Sequence, residues 1–335
     1  MLYNRALMPG KTSRTIQVVS HGPSCLDGVM AAAAVARFYD GHKVFTTLAG
    51  NNDADRVLQE LTLKSGDGSE SENEIWITDL SWNSPATGAH LTELSERGAQ
   101  IYWIDHHRTA VSRADAPEFK VPFTGKVLSE QYSAARLTFN FLKRMGRDLP
   151  ERQRAEFDAF QPFVIIADDH DRWVHKIAES SEWALAVQTL GGTSSYREIL
   201  KLREPRMSRK LRNAFESGKD AMRRSLELAH ATMVDRKLDN GITLRTACCF
   251  GYSSEVAAHL YKGQTRTVVA LFDLRSQGVS LRRSSDCDVD LSILAQHFGG
   301  GGHAAASGLM IPDLRRVPAE RLAEILGDQL EKSPT

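Results

Sequence analysis

An acid followed by two imidazoles, Asp105-His106-His107, closes the short apolar run Ile101-Tyr-Trp-Ile104. Side chains alternate along a strand, so both histidines can share a face only once the strand has ended; one can then bind a cation while the other faces a substrate. Comparable endings recur along the chain. His21 and Asp27 follow Thr15-Ile-Gln-Val-Val-Ser20, Asp79 follows Glu74-Ile-Trp-Ile-Thr78, and Asp168-Asp169-His170-Asp171 follows Phe163-Val-Ile-Ile-Ala167. Such a mixture of carboxylates and imidazoles suits Mn²⁺, with Mg²⁺ or another divalent ion as alternatives. Hydrolysis of a phosphate ester needs a hydroxide, neutralisation of the phosphoryl oxygens and help for the leaving group, and one or two such ions meet those needs. On this reading His21, Asp27, Asp79, His106 and one acid among Asp168, Asp169 and Asp171 are metal ligands. Asp79, between the others in strand order, is the bridging carboxylate. Asp105 and His107 are the catalytic pair, with His107 placed to contact the phosphate or assist proton transfer.

Elements that could position this set follow from the patterning. A β-branched strand at Thr15 to Ser20 runs through the loop His21-Gly-Pro-Ser-Cys-Leu-Asp27-Gly28 into an alanine-rich helix, Val29 to Phe38. Further strands are expected at Lys43 to Thr47, Glu74 to Asp79 and Ala99 to Asp105, with helices at Leu91 to Gly98 and Ser129 to Leu142, and a solvated loop at Lys64 to Asn73. Alternating strands and helices predict an α/β fold with a parallel sheet, whose ligands bind beyond the carboxyl ends of the strands.

The charged stretch from Arg203 to Asp235 has an apolar stripe at helical spacing and reads as a connector helix. Its basic residues, Arg206, Arg209, Lys210, Arg212, Arg223 and Arg224, form either a wet face or a groove for a polyanion. From Ile242 a second, smaller α/β module is expected, with strands at Leu244 to Phe250, Thr265 to Phe272 and Gly278 to Arg282 and a helix at Asp290 to Phe298. That helix leads into Gly299-Gly300-Gly301-Gly302-His303, where backbone N–H groups beside an imidazole would suit a phosphate or carboxylate. The boundaries predicted are 15–200 for a metal-binding domain, 201–240 for a helical connector and 241–330 for a substrate-binding domain.

Composition narrows the setting. Lysine plus arginine and aspartate plus glutamate number 42 each, so no global field marks a nucleic-acid or membrane partner. Cys25, Cys248, Cys249 and Cys287 have neither zinc-ribbon spacing nor disulfide-scaffold density, and reduced thiols in a cytoplasm account for them. Met1 to Thr15 carries no apolar signal region, and no run approaches membrane-spanning length. A cytoplasmic protein is expected.

Taken together, the motifs resemble those of the DHH superfamily of phosphoesterases. His21 with Asp27-Gly28 is similar to its first motif, Asp79 to the second, Asp105-His106-His107 to the third and the acidic run 168–171 to the fourth. Gly300-Gly-Gly-His303 with Gly308, preceded by Val279-Ser-Leu-Arg282, resembles the signature of the DHH-associated C-terminal domain. The resemblance runs from about Ile16 to Ile311. It implies a parallel-sheet N-terminal domain with two Mn²⁺ ions and a smaller C-terminal α/β domain that grips substrate through Arg282, Gly300, Gly301, Gly302 and His303. His21 and Asp79 would serve one ion, and Asp27, Asp79, His106 and a fourth-motif acid the other. For that acid the resemblance favours Asp169, with Asp168 in reserve. One residue departs from the pattern: Cys25 stands where the family has an Asp, and it is either a thiolate poorly matched to Mn²⁺ or a packed small residue.

Members of that family cleave short oligonucleotides, dinucleotides, nucleoside bisphosphates or longer strands. A two-domain chain with no added nucleic-acid module fits the small substrates, so the expected activity is a metal-dependent phosphodiesterase releasing mononucleotides from a short oligonucleotide or dinucleotide. A phosphatase of a nucleoside bisphosphate or other small phosphoester, and a non-catalytic nucleotide sensor, are the alternatives. A homodimer is left open.

Overall fold

The computed structural model describes residues 14–64, 72–311, 314 and 319–332. Most of the polar N-terminal stretch and residues 65–71 of the expected solvated loop lie outside the described residues. The chain divides into two compact units, Met1–Glu216 and Ser217–Thr335.

Five strands form the sheet of the first unit: β1 (Arg14–His21), β2 (Lys43–Ala49), β3 (Glu72–Thr78), β4 (Gln100–Asp105) and β5 (Gly125–Leu128). They are all parallel, in the order β2-β1-β3-β4-β5. The connections run outward from β1 in both directions, so the sheet reverses its winding between β1 and β3, and that is where open α/β sheets leave a crevice for ligands. Nearly every residue of β1, β3 and β4 is buried, whereas β2 alternates exposed and half-buried positions as an edge strand does.

The helices of this unit are α1 (Leu26–Phe38), α2 (Ala54–Gln59), α3 (Pro85–Glu96), α4 (Arg108–Ser112), α5 (Ala134–Met145), α6 (Glu151–Asp158), α7 (Gln161–Asp171), α8 (Ala178–Leu190) and α9 (Gly192–Ile199), with the first residues of α10 (Arg209–Thr232). Strand alternation sorts the core into two layers. Ile16, Val18, Tyr102 and Ile104 pack with α1, α5, α7 and α8 on one face, while Val19, Ile101 and Trp103 pack with Leu91 and Leu94 of α3 and Phe119 on the other. The run Ala31 to Ala34 of α1 is completely buried, and its small side chains let α5, α7 and α9 close around that helix.

The second unit carries β6 (Val234–Lys237), β7 (Thr243–Cys249), α11 (Ser253–Tyr261), β8 (Thr267–Asp273), β9 (Val279–Arg283), α12 (Leu291–His297), β10 (Gly301–His303), β11 (Ala306–Leu309) and α13 (Ala319–Glu331). Its sheet runs β10-β11-β9-β8-β7-β6 and is mixed, with only β7 and β8 parallel. Every residue of the central strand β8 is buried. Leu244, Leu281, Leu291, Leu294, Leu322 and Leu326 share its core with α12 and α13.

Gly299 and Gly300 correct one expectation. Their N–H groups close the end of α12 on the carbonyls of Gln296 and Ala295 at 2.9 and 2.8 Å, with Gly299 at φ +73°, so they cap a helix C-terminus and are not presented to an anion. Gly301 and Gly302 continue as strand β10.

Candidate metal centre

The carboxyl ends of β1, β3 and β4 and the last turn of α7 bring the predicted acids and imidazoles together in the first unit. Asp27 lies in the first turn of α1, where its Oδ2 and Oδ1 accept the Ala134 and Ala135 amides at 2.8 and 3.0 Å. The amino end of α5 thus aims its positive pole at this carboxylate. Asp79 follows the last residue of β3 at φ +54°, a left-handed conformation that Asp tolerates better than most residues, and its amide is tied to Ile104 O at 2.9 Å. Gly28 is required by proximity: a Cβ there would stand 2.0 Å from His21 O and 3.0 Å from Asp79 Oδ2. Ser20 Oγ, bonded to Gly28 O at 2.7 Å and Thr78 O at 3.1 Å, pins α1 and β3 to the end of β1.

His106 is the hub. Its Nε2 lies 3.2 Å from Asp79 Oδ1 and 3.6 Å from Asp27 Oδ2, and its Nδ1 lies 3.6 Å from Asp171 Oδ2. Donor atoms of Asp27, Asp79 and His106 fall within 4.8 Å of one another, and so do those of His21, Cys25 and Asp79. Asp79 belongs to both sets, the position of a bridging carboxylate. Burial, then the neighbouring carboxylates, pushes Asp27 well above the usual carboxylate range, and burial raises Asp171. Burial would also raise Asp79, but hydrogen bonds from His106 and His21 hold it well below that range. Burial alone would lower His106, and Asp171, Asp79 and Asp27 outweigh it to raise the imidazole well above its ordinary value. So much negative charge converging on one imidazole is what a divalent cation neutralises, and mixed oxygen and nitrogen donors fit Mn²⁺ or Mg²⁺ chemistry.

Asp105 is withdrawn from this set and builds its neighbour. Its Oδ1 lies 2.7 Å from His107 Nδ1 and accepts the His106 and His107 amides at 2.7 and 3.1 Å, while Oδ2 accepts Ser81 Oγ at 2.6 Å. Completely buried, Asp105 positions the turn and the His107 ring and is shielded from any substrate. Burial pulls the His107 imidazole down, and Asp105 more than offsets this, so its pKa is raised.

The fourth-motif expectation is corrected. Asp169 turns away from the cluster: its carboxylate accepts the Lys176 and Ile177 amides at 2.9 and 3.2 Å and Ser180 Oγ at 2.7 Å, fastening the start of α8. Asp168 is likewise engaged, with Ser133 N and Arg136 at 2.8 and 2.7 Å. Asp171 is the acid that reaches His106. Residues two apart on a helix point about 200° apart, so Asp169 and Asp171 cannot serve the same site.

Comparison with known proteins adds the family. The DHHA1 domain matches residues 250–332. Oligoribonuclease NrnB of Bacillus subtilis is 26% identical over 302 residues, 86% of this chain and 71% of that protein. Residues 250–332 thus form a DHHA1 domain, and the chain as a whole is similar to phosphoesterases of the DHH superfamily. The same fold occurs in RecJ from Thermus thermophilus, solved with Mn²⁺, at TM-score 0.57 and 15% identity over 96% of this chain and 53% of that one. It occurs also in the pGpG-specific phosphodiesterase PggH from Vibrio cholerae, at TM-score 0.50 and 12% identity over 96% and 100%.

Against the DHH pattern, Cys25 is the notable residue, half-buried beside Asp79. Its Sγ lies 3.5 Å from Asp79 Oδ2, and burial followed by Asp79, Asp27 and Asp171 raises the thiol well above its ordinary value. In the DHHA1 domain, the register pairs His303 with Ala306 and Ala306 with Arg282. Arg282 and His303 therefore occupy one row on one face of the sheet, about 10 Å apart, with only the methyl group of Ala306 between them. Arg282 is steadied by Ser280 Oγ at 3.0 Å and Ser254 Oγ at 2.7 Å. Gly302, at φ +139°, has no room for a side chain, since a Cβ would lie 2.6 Å from Ala306 O.

Ser81 and Ser254, which steady Asp105 and Arg282, were not legible in advance. Ser81, two residues beyond Asp79 and close after a strand end, carried the only hint.

Proposed function

We propose that this chain is a divalent-metal-dependent phosphodiesterase that hydrolyses short oligonucleotides or dinucleotides to mononucleotides. The observation that carries the reading is the convergence of Asp27, Asp79 and His106 at the reversal point of the sheet, with Asp105-His107 beside them. The name of the related oligoribonuclease and the description of the fold neighbour as a pGpG-specific enzyme support the short substrate. The solved RecJ structure with Mn²⁺ supports Mn²⁺ as the ion.

In this reading Asp27, Asp79 and the Nε2 of His106 hold one ion, with Asp171 orienting that imidazole through its Nδ1, and His21 and Asp79 hold a second beside Cys25. A bound divalent ion offers counter-charge to the phosphoryl oxygens and acidifies water. The protein's own groups do the rest. Asp105 fixes His107 through Nδ1, which makes Nε2 the nitrogen that meets the phosphate or passes a proton to the leaving oxygen. Arg282 and His303 of the DHHA1 domain hold a substrate phosphate, and Gly301 and Gly302, in strand β10, let the backbone come close. No helix among the described residues is long and apolar enough to cross a membrane, and Cys25, Cys248, Cys249 and Cys287 are free thiols, in keeping with the cytoplasm.

His106→Ala tests the proposal. Mn²⁺-dependent hydrolysis of a dinucleotide should fall by about 10³-fold or more, the size of effect expected when a group that holds the reacting centre is removed. Undiminished turnover by the folded variant would refute it.

A further inference from the structure

Immediately beyond Asp171 the backbone does something unusual. Trp173 and His175 both take left-handed conformations, at φ +56° and +50°, though neither is a glycine. For Trp173 this is the left-handed residue that closes the end of α7, with its amide and that of Val174 bonded to the carbonyls of His170 and Asp169 at 2.9 Å each, while His175 is left-handed beyond that cap. Asp169 fastens the whole segment. Its carbonyl accepts the Val174 and His175 amides at 2.9 and 3.4 Å, and its carboxylate accepts the two amides and the hydroxyl that follow.

The segment so held presents an aromatic ring to solvent. Trp76, Trp82, Trp103 and Trp183 are at most 1% exposed, but Trp173 is 39% exposed. Its indole is buttressed by His175, edge to face at 4.4 Å, and by His170 at 5.5 Å, and His175 is steadied in turn by Ser181 Oγ at 3.1 Å. Nearby Tyr132 cannot play the same part, because the Arg136 guanidinium lies on its ring at 3.9 Å. Trp173 stands only two residues beyond Asp171, a backbone reach of about 7 Å at most.

We infer that Trp173 is a stacking platform for a nucleobase of the substrate, placed two residues beyond Asp171 by the turn that closes α7 and that Asp169 fastens. The inference rests on the phosphodiesterase reading and deepens it, adding recognition of a base to recognition of the ester. It also gives Asp169 a positioning role. A flat π-face accepts any base, so it supplies grip without sequence preference.

The test pairs turnover with binding. Trp173→Ala should lower kcat/KM for a dinucleotide by about 10- to 100-fold, mostly through KM, since base stacking is worth about 1–3 kcal/mol. Trp173→Phe should recover much of the loss, and cleavage of a diester lacking any base, such as methyl 4-nitrophenyl phosphate, should be unchanged in both variants. Equal effects on the two substrates, or no effect on either, would overturn the inference. Rapid-mixing fluorescence separates it from the catalytic proposal: a dinucleotide should quench tryptophan emission of the unmodified protein before turnover, and the quench should vanish in Trp173→Phe. Hydrolysis without that quench sinks the platform alone; quenching without hydrolysis keeps the platform and sinks the phosphodiesterase.

Discussion

His106 Nδ1 and Asp171 Oδ2 lie 3.6 Å apart, joining the third-motif strand end to the last turn of α7. The contact separates two acids that the sequence places side by side, and their substitution should separate two properties of the protein. Asp171→Asn should weaken metal binding by about 10- to 100-fold, the cost of losing a group that fixes a metal-bound imidazole. Metal-free stability should not fall, since one of several crowded buried carboxylates loses its charge. Asp169→Ala should leave metal affinity nearly intact but cost about 3 kcal/mol by abandoning its buried partners near α8. Calorimetric titration with Mn²⁺ and urea melts of both variants check the pair; a reversed pattern would restore Asp169 to the metal centre.

Cys25 offers a prediction about ion choice. With its Sγ 3.5 Å from Asp79 Oδ2, a carboxylate at this position would face the same ion as His21 and Asp79. Cys25→Asp should therefore tighten Mn²⁺ binding by about tenfold and weaken the preference for Zn²⁺, since thiolates favour the softer ion. Competition titrations with the two ions read this directly, and an unchanged Zn²⁺ to Mn²⁺ ratio would mean that Cys25 takes no part in binding.

Far from the metal centre, Glu74 sets a pH dependence of stability. Burial raises its pKa, against opposing hydrogen bonds from Tyr39 and Trp76 and the Arg14 guanidinium at 3.4 Å. A carboxyl group raised on folding takes up its proton more readily in the native state. The stability it contributes is therefore complete below its unfolded pKa of about 4.5 and is lost as pH rises through the folded value. Glu74→Gln should remove that loss and flatten the decline in unfolding free energy above pH 4.5, by at most about 1.4 kcal/mol per pH unit. Urea unfolding between pH 4.5 and 7 is the measurement, and parallel curves for the two proteins would contradict it.

The row formed by Arg282, Ala306 and His303 predicts a purely steric effect. Ala306→Leu keeps both flanking side chains but fills the space between them, and should raise KM for a dinucleotide about tenfold while kcat changes little, as expected when ground-state and transition-state binding weaken together. A fall in kcat at constant KM would place the substrate elsewhere.

Much of this architecture is written locally in the sequence. The strands ending at His21, Thr78 and Asp105 announce themselves through β-branched and aromatic runs that stop on chemistry-bearing residues, and the parallel order follows from helices placed between them. The choice between Asp169 and Asp171 was hidden because it depends on the phase of α7 against His106, a tertiary relationship that spacing cannot report. Gly299 and Gly300 misled for a related reason: a glycine run looks the same whether it cradles an anion or ends a helix, and only the bonds to Gln296 and Ala295 distinguish the two. Helix α5 begins at Ala134 behind its cap Ser133, later than the serine at position 129 suggested, and the free amides at this start, those of Ser133 and Ala134, meet the buried acids Asp168 and Asp27.

The acids and imidazoles gathered at the reversal between β1 and β3 are drawn from residue 21 at one extreme to residue 171 at the other. A nascent polypeptide halted on the ribosome before α7 has emerged holds the first three motifs but lacks Asp171 and the turn that follows it. On the phosphodiesterase reading, hydrolytic competence therefore arrives no sooner than the closing of the first unit, and shortened translation products carrying the Asp105-His106-His107 triplet are expected to be chemically silent.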